Sequence, residues 1–183
     1  MADTQRSVSS ILALLADNTS GDISPQDIRD AFVSWRMSHG QIYVPVASAA
    51  AVTISNTSSY FEATEPAWTL SSGAHLFDES SGNGRLTYTG AVTSTIHVAC
   101  TISMTCASNN QVLHARLGVD GTTDETSEVI IKVGTGADVV STAAHLLIDI
   151  SPGSHISLWL RNETSSANIT IQAANIQCVG MSA

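Results

Sequence analysis

Eleven consecutive residues, Ile96-His97-Val98-Ala99-Cys100-Thr101-Ile102-Ser103-Met104-Thr105-Cys106, put Ile96, Val98, Cys100, Ile102, Met104 and Cys106 at every second position. A period of two places those six side chains on one face of an extended strand, which requires a core on that side. The pattern returns in Leu146/Ile148/Ile150, in Ile156/Leu158/Leu160 and in Ile169/Ile171/Ala173, with Ser151-Pro152-Gly153 and Glu163-Thr164-Ser165-Ser166 as breaks. Half-buried strands at this spacing predict a β-sandwich or barrel.

With 183 residues, 43% of them hydrophobic, the chain can fill one sandwich and a small appendage but not two full domains. Charged residues make up only 13%, and Lys132 is the single lysine, so the polar surface is built from Ser, Thr and Asn. Such a surface hydrogen-bonds without carrying charge and suits packing against other proteins. A formal net charge of -9, with six scattered arginines, opposes a nucleic-acid groove, which needs clustered cations to displace counterions. The segment Met1–Asn18 lacks a basic start, a long apolar centre and a small-residue cleavage site, and no stretch approaches the ~20 apolar residues of a membrane span. Synthesis in the cytoplasm, with no membrane partner, is the expectation.

Residues 1–40 predict a helical arm and residues 41–183 the sandwich. Val8, Ile11, Leu12 and Leu15 fall at i, i+3, i+4 and i+7, the spacing of one helix face. A second helix opens with Ser24 as N-cap, Pro25 in the first helical position and Asp27 near the positive end of the dipole. It continues with Ile28, Ala31, Phe32 and Trp35 on one side, and Gly40 is expected to close it. Helices this short are marginal alone, so their stripes must dock, either on the sandwich or on a neighbouring protein. In the second case Ile11, Leu12, Leu15, Ile28, Phe32 and Trp35 form an attachment surface anchored by the two aromatics.

After Gly40 the reading is β throughout. The first strand reads as Ile42–Val46, in which Pro45 lacks a ladder donor and belongs at an edge or a strand start. Ser80-Ser81-Gly82-Asn83-Gly84 is a turn closing a hairpin with Arg85–Gly90. With Gln111–Val119, Val129–Val133 and Ala143–Ile150, the total is eight to ten strands.

Nothing in the sequence assembles a reacting group. Cys100 and Cys106 share a strand face about 20 Å apart, beyond disulfide reach, and read as small core hydrophobes together with Cys178. His97 and Cys100 face opposite ways, while His145 and His155 each stand beside polar residues, so no metal set is expected. The Asp120–Glu125 turn lacks calcium-loop spacing, and Gly134–Asp138 is not followed by a helix that could bind phosphate. No G-x-S-x-G elbow is present. No catalytic residue, metal or cofactor is expected. The sequons at Asn18, Asn56, Asn162 and Asn168 follow from a Ser/Thr/Asn-rich composition.

Four stretches taken in order resemble the jelly-roll domains of the complement/tumour-necrosis-factor-like superfamily, in the form carried by tailed-bacteriophage virion proteins. They are Gly84–Gly90, the Ile96–Cys106 strand, Ile148–Asn162 and Asn168–Gly180, within the last hundred residues or so. Ala16–Asp30 resembles a helical segment of phage fibre and head-appendage proteins. The resemblance implies a mainly β, antiparallel jelly roll that forms homotrimers. Trp159, between Leu158 and Leu160 on the opposite face, would be exposed on the isolated sandwich and is a candidate trimer-interface anchor. Cover by the Tyr60–Trp68 segment or by the arm is the intrachain alternative. The expected role is a capsid decoration, or cement, protein on the phage head, partnered by the major capsid protein. A tail-fibre or receptor-binding tip and a lectin-like carbohydrate-binding module are the rival readings.

Overall fold

The computed structural model describes residues 4, 6–14, 23–79, 81–135 and 138–182. Two antiparallel sheets face each other. One runs in the order β11(Val140–Ile150), β7(Ser94–Cys106), β13(Ile169–Ser182), β1(Ser38–Val44), β4(Thr69–Leu70), with β2(Ala50–Val52) also paired to β13. The other runs β10(Val129–Val133), β8(Gln111–Val119), β12(His155–Asn162), β6(Leu86–Tyr88), β5(Phe77–Asp78). To it β3(Phe61–Glu62) is added against β12 and β9(Thr122–Thr123) against β8. From β6 onward the chain changes layer at almost every connection, the jelly-roll arrangement. Thirteen strands are present among the described residues rather than eight to ten, and the surplus consists of two- and three-residue strands too short to leave a periodicity.

The β7 expectation holds in full: all six alternating residues are buried. The same is true of Ile156, Leu158 and Leu160 on β12 and of Leu146 and Ile150 on β11, while Ile148 is only half-buried. On β13 the phase breaks. Ile169 and Ile171 point inward, but the register with β7 shifts between Ile171 and Ala173, and Ala174, Ile176 and Cys178 take over the core side. A β-bulge inserts one residue and reverses the facing of every residue after it. The predicted Ile169/Ile171/Ala173 face is therefore corrected at Ala173.

The arm is shorter than its sequence implied. α2(Pro25–Trp35) ends where Arg36 turns extended, and β1 is already under way at Ser38. Gly40 lies inside β1 rather than closing a helix. A Cβ there would sit 2.5 Å from Phe77 Cβ, so glycine serves the close passage of β1 over the β5 side chain. The boundary at residue 40 thus moves back to about Ser38. The β5/β6 hairpin forms as expected, with Gly84 at φ +78° in its turn. Pro45 ends β1 and opens a 3-10 turn at Val46–Ser48. Among the described residues, no helix is long and apolar enough to cross a membrane.

Candidate interaction surfaces

The arm folds as a helical hairpin. Ser24 Oγ accepts from the Asp27 amide at 3.2 Å, and Asp27 Oδ2 accepts from the Ser24 amide at 2.9 Å, a reciprocal capping box with Pro25 in the first turn. α1(Val8–Leu14) is tied to α2 through Asp30. That carboxylate accepts from the Thr4 amide at 2.9 Å, from Gln26 Nε2 at 2.7 Å and from Arg6 Nε at 2.9 Å. These donors, the Thr4 amide foremost, hold Asp30 down at about 2. The Arg6 amide also donates to Ser34 Oγ at 2.7 Å, so polar bonds fasten the hairpin where its apolar stripes would have been expected to.

Ile11 and Ala31 are buried, yet the other described residues of the two stripes are exposed. Leu12 is 64% exposed, Phe32 70% and Trp35 61%, with Ile28 and Val8 also exposed. Of the six nominated attachment residues, Leu12, Ile28, Phe32 and Trp35 are exposed. Ile11 is buried, whereas Leu12, one position on, is exposed. Leu15 lies outside the described residues. α2 touches the sandwich through β13.

The outer faces of the two sheets differ in chemistry. On the β7/β11/β13/β1 side, Asp149 is the one formally charged outward side chain described on those four strands, and Thr95 Oγ1 donates to it at 2.5 Å. The rest is Thr, Ser, Ala, Asn and Gln with Val179 and three exposed histidines, His39, His97 and His145, and with Tyr43 and Leu147 exposed, Leu147 at 71%. A shallow depression of about 400 Å³ lies at the β13 bulge between Thr101, Ser103, Ser141 and Asn175, and no acid, base or thiol converges on it.

The β8/β12/β10 side carries a charge network in which the buried Nε atoms of Arg116 and Arg161 have no hydrogen-bond partner. The Tyr60 ring lies beneath Arg116 and Arg161, at 4.5 and 5.1 Å from their guanidinium carbons, and its hydroxyl donates to Glu128. Glu128 also accepts from Arg116 at 3.0 Å and faces His114 Nδ1 at 2.8 Å, while His114 Nε2 faces Glu163 at 2.6 Å. Donation from Tyr60, then from Arg116, pulls Glu128 down to about 2. Desolvation, and then the Glu128 charge, pushes Tyr60 up to about 12. Trp159 belongs to this side. It is half-buried, its indole donates to Ser157 Oγ at 3.0 Å, and it covers Gly118, where a Cβ would lie 2.6 Å from Nε1. Its cover is thus partly the adjacent strand β8, a neighbour the sequence did not identify because Gly118 gives no pattern signal.

The remaining candidates separate in the same way. Cys100, Cys106 and Cys178 are free and buried, and burial pushes the Cys100 thiol up to about 12, which removes it as a nucleophile. Asp120 accepts from the His155 amide and pairs with its ring at 3.2 Å, and Asp124 caps a short 3-10 turn, so the acidic loop spends its carboxylates internally. His145 does not stand alone: the β7/β11 register brings its Nδ1 to 3.3 Å from His97 Nε2. Only strand pairing could have revealed this contact, since 48 residues separate the two.

No protein-family model and no curated protein matches the sequence. Among solved structures, the fold is similar to the Eiger TNF of S. frugiperda, with a TM-score of 0.55 at 8% identity, covering 79% of this chain and 92% of that one. Murine APRIL, crystallised at pH 5.0, aligns with a TM-score of 0.49 at 9% identity over 79% of this chain and all of that one. The sandwich is a TNF-like jelly roll.

Proposed function

We propose that this chain is a non-enzymatic structural protein: a self-associating, trimeric jelly roll that decorates a phage head and is fastened to it by the helical hairpin. The observation that carries the reading is the uncovered row of Leu12, Ile28, Phe32 and Trp35 beside a sandwich whose own core is complete. Covering one large aromatic removes about 150–250 Å² from water, worth several kcal/mol, so two in one helix make an anchor. The resemblance of Ala16–Asp30 and of the jelly-roll strands to virion proteins directs that anchor to the capsid. For trimer contact, the uncharged outer face of β7, β11, β13 and β1 is the better-suited surface. Burying it desolvates one carboxylate, whereas burying the Trp159 side would desolvate a network of several charges. Trp159 then contributes at most from the rim.

Cosedimentation of the purified protein with undecorated heads tests the assignment. The wild type should pellet with heads, and Phe32→Ala/Trp35→Ala should stay in the supernatant with unchanged circular dichroism and an unchanged oligomer mass. Binding by the double variant, or antibody labelling of virions at the tail tip instead of the head, overturns it.

A further inference from the structure

His97 on β7 and His145 on β11 project from the same uncharged face. The register pairs His97 with Leu147 and His145 with Ala99, making the two histidines diagonal neighbours on adjacent antiparallel strands. Their rings are inclined by 12° with centroids 5.4 Å apart, and His145 Nδ1 lies 3.3 Å from His97 Nε2. Without a third group, the pair is satisfied by a single shared N–H. We propose that His97 and His145 form a two-nitrogen site for a borderline divalent cation of the zinc or nickel class.

The geometry supports it. Two Zn–N bonds of 2.0–2.1 Å at the tetrahedral angle span about 3.3–3.4 Å, the separation already present, so rotation of the exposed rings can bring both lone pairs onto one ion without drawing the nitrogens apart. The backbones are fixed by the ladder between β7 and β11, so little order has to be created on binding. Around the rings stand Ala99 and Leu147 on the same two strands and Val179, opposite His97 on β13. None of these competes for the metal or repels it. The single lysine, Lys132, is on β10 in the other sheet, and Asp149 is engaged by Thr95. The second histidine pair in the fold, His39 and His75, is unsuited. Both nitrogens of His39 are held by the carbonyls of Met37 and Gly73.

Two protein ligands leave two positions of a tetrahedral ion open to water or to groups from another subunit. On this sheet face the ion would lie where we place trimer contact, which ties metal loading to assembly. That link rests on the self-association reading, whereas the site itself does not.

The full chain, freed of metal with a chelator, should be titrated with zinc by calorimetry and with Cu²⁺ by electron paramagnetic resonance. The wild type should show a saturable class of ions with imidazole-nitrogen coupling and a metal-dependent rise in Tm. His97→Ala, His145→Ala and the conservative His97→Gln should each lose at least tenfold in affinity, with folding unchanged at these outward positions. Equal affinity in the double variant His97→Ala/His145→Ala, or no saturable binding by the wild type, overturns the site. Sedimentation of the same samples separates the two ideas. Metal binding by a protein that stays monomeric keeps the site and sinks the assembly link, and trimers that never bind metal sink the site and the link together while leaving self-association standing.

Discussion

Replacing Asn162 with Ala should cost this protein about 3 kcal/mol, even though the residue reads in the sequence as ordinary turn polarity. The side chain is fully buried at the end of β12. Its Oδ1 accepts from the amides of Thr164 and Ser165 at 3.0 and 3.2 Å, and its Nδ2 donates to Gln111 Oε1 at 3.0 Å and to Ala167 O at 3.1 Å. Alanine removes four bonds worth about 1 kcal/mol each. Gln111 keeps Ser165 Oγ as a partner at 2.5 Å, but the two amides and the Ala167 carbonyl are orphaned unless the turn opens to water, which recovers part of the loss. About 3 kcal/mol is a large share of the 5–15 kcal/mol that holds a domain together, and at this chain length corresponds to a drop in Tm of about 6–12 °C. The assay is guanidinium unfolding at one fixed protein concentration, because self-association makes apparent stability depend on concentration. The slope m should be unchanged, and Ser165→Ala, which breaks only the outer part of the network, should cost about 1 kcal/mol. A loss below about 1 kcal/mol for Asn162→Ala would show that the turn is not organised by this side chain.

Gly84→Ala should destabilise by about 2–4 kcal/mol, since it adds a Cβ at φ +78° and drives it to 2.5 Å from Trp68 Nε1, whose bond to Ala63 O must then yield. A native-like melting temperature with unshifted indole fluorescence would contradict this. Glu128, lowered from an ordinary 4.5 to about 2 in the folded state, contributes stability that is full above 4.5 and is lost as the pH falls towards 2. Tyr60, raised from 10 to about 12, contributes stability that is full below 10 and is lost as the pH climbs through 12. Glu128→Gln should flatten both limbs of a stability-versus-pH curve, and an unchanged curve would remove the Tyr60–Glu128 bond from the account.

How far the sequence could be read depended on whether a feature was local. The inward faces of β7 and β12 were legible because one unbroken period of two specifies each of them. The Ser24-Pro25-Asp27 helix start was legible because capping is settled within four residues. On β13 the same logic ran out at Gln172, where one inserted residue reversed the facing and no residue type announced it. The His97–His145 contact, the seat of Trp159 on Gly118 and the burial of Asn162 depend on which strands lie side by side, information that a single strand does not contain. The helix stripes were legible, but what covers them was left open between the sandwich and a neighbouring protein. Thr4 and Arg6 fasten the segment before α1 to Asp30 and Ser34 of α2 through polar bonds, and Phe32 and Trp35 are exposed.

The ladder joining β1 to β13 runs antiparallel through seven pairs, from Ser38↔Gly180 to Val44↔Ala174, which puts the root of the arm and the end of the last strand side by side. A tug on the hairpin resisted by the body of the sandwich pulls along β1 and loads all seven pairs in shear at once. The same tug resisted at Gly180 peels them open one after another from the end. The mechanical strength of the attachment therefore depends on where the opposing grip is taken, and a tether or handle placed beyond Gly180 would measure the weak direction.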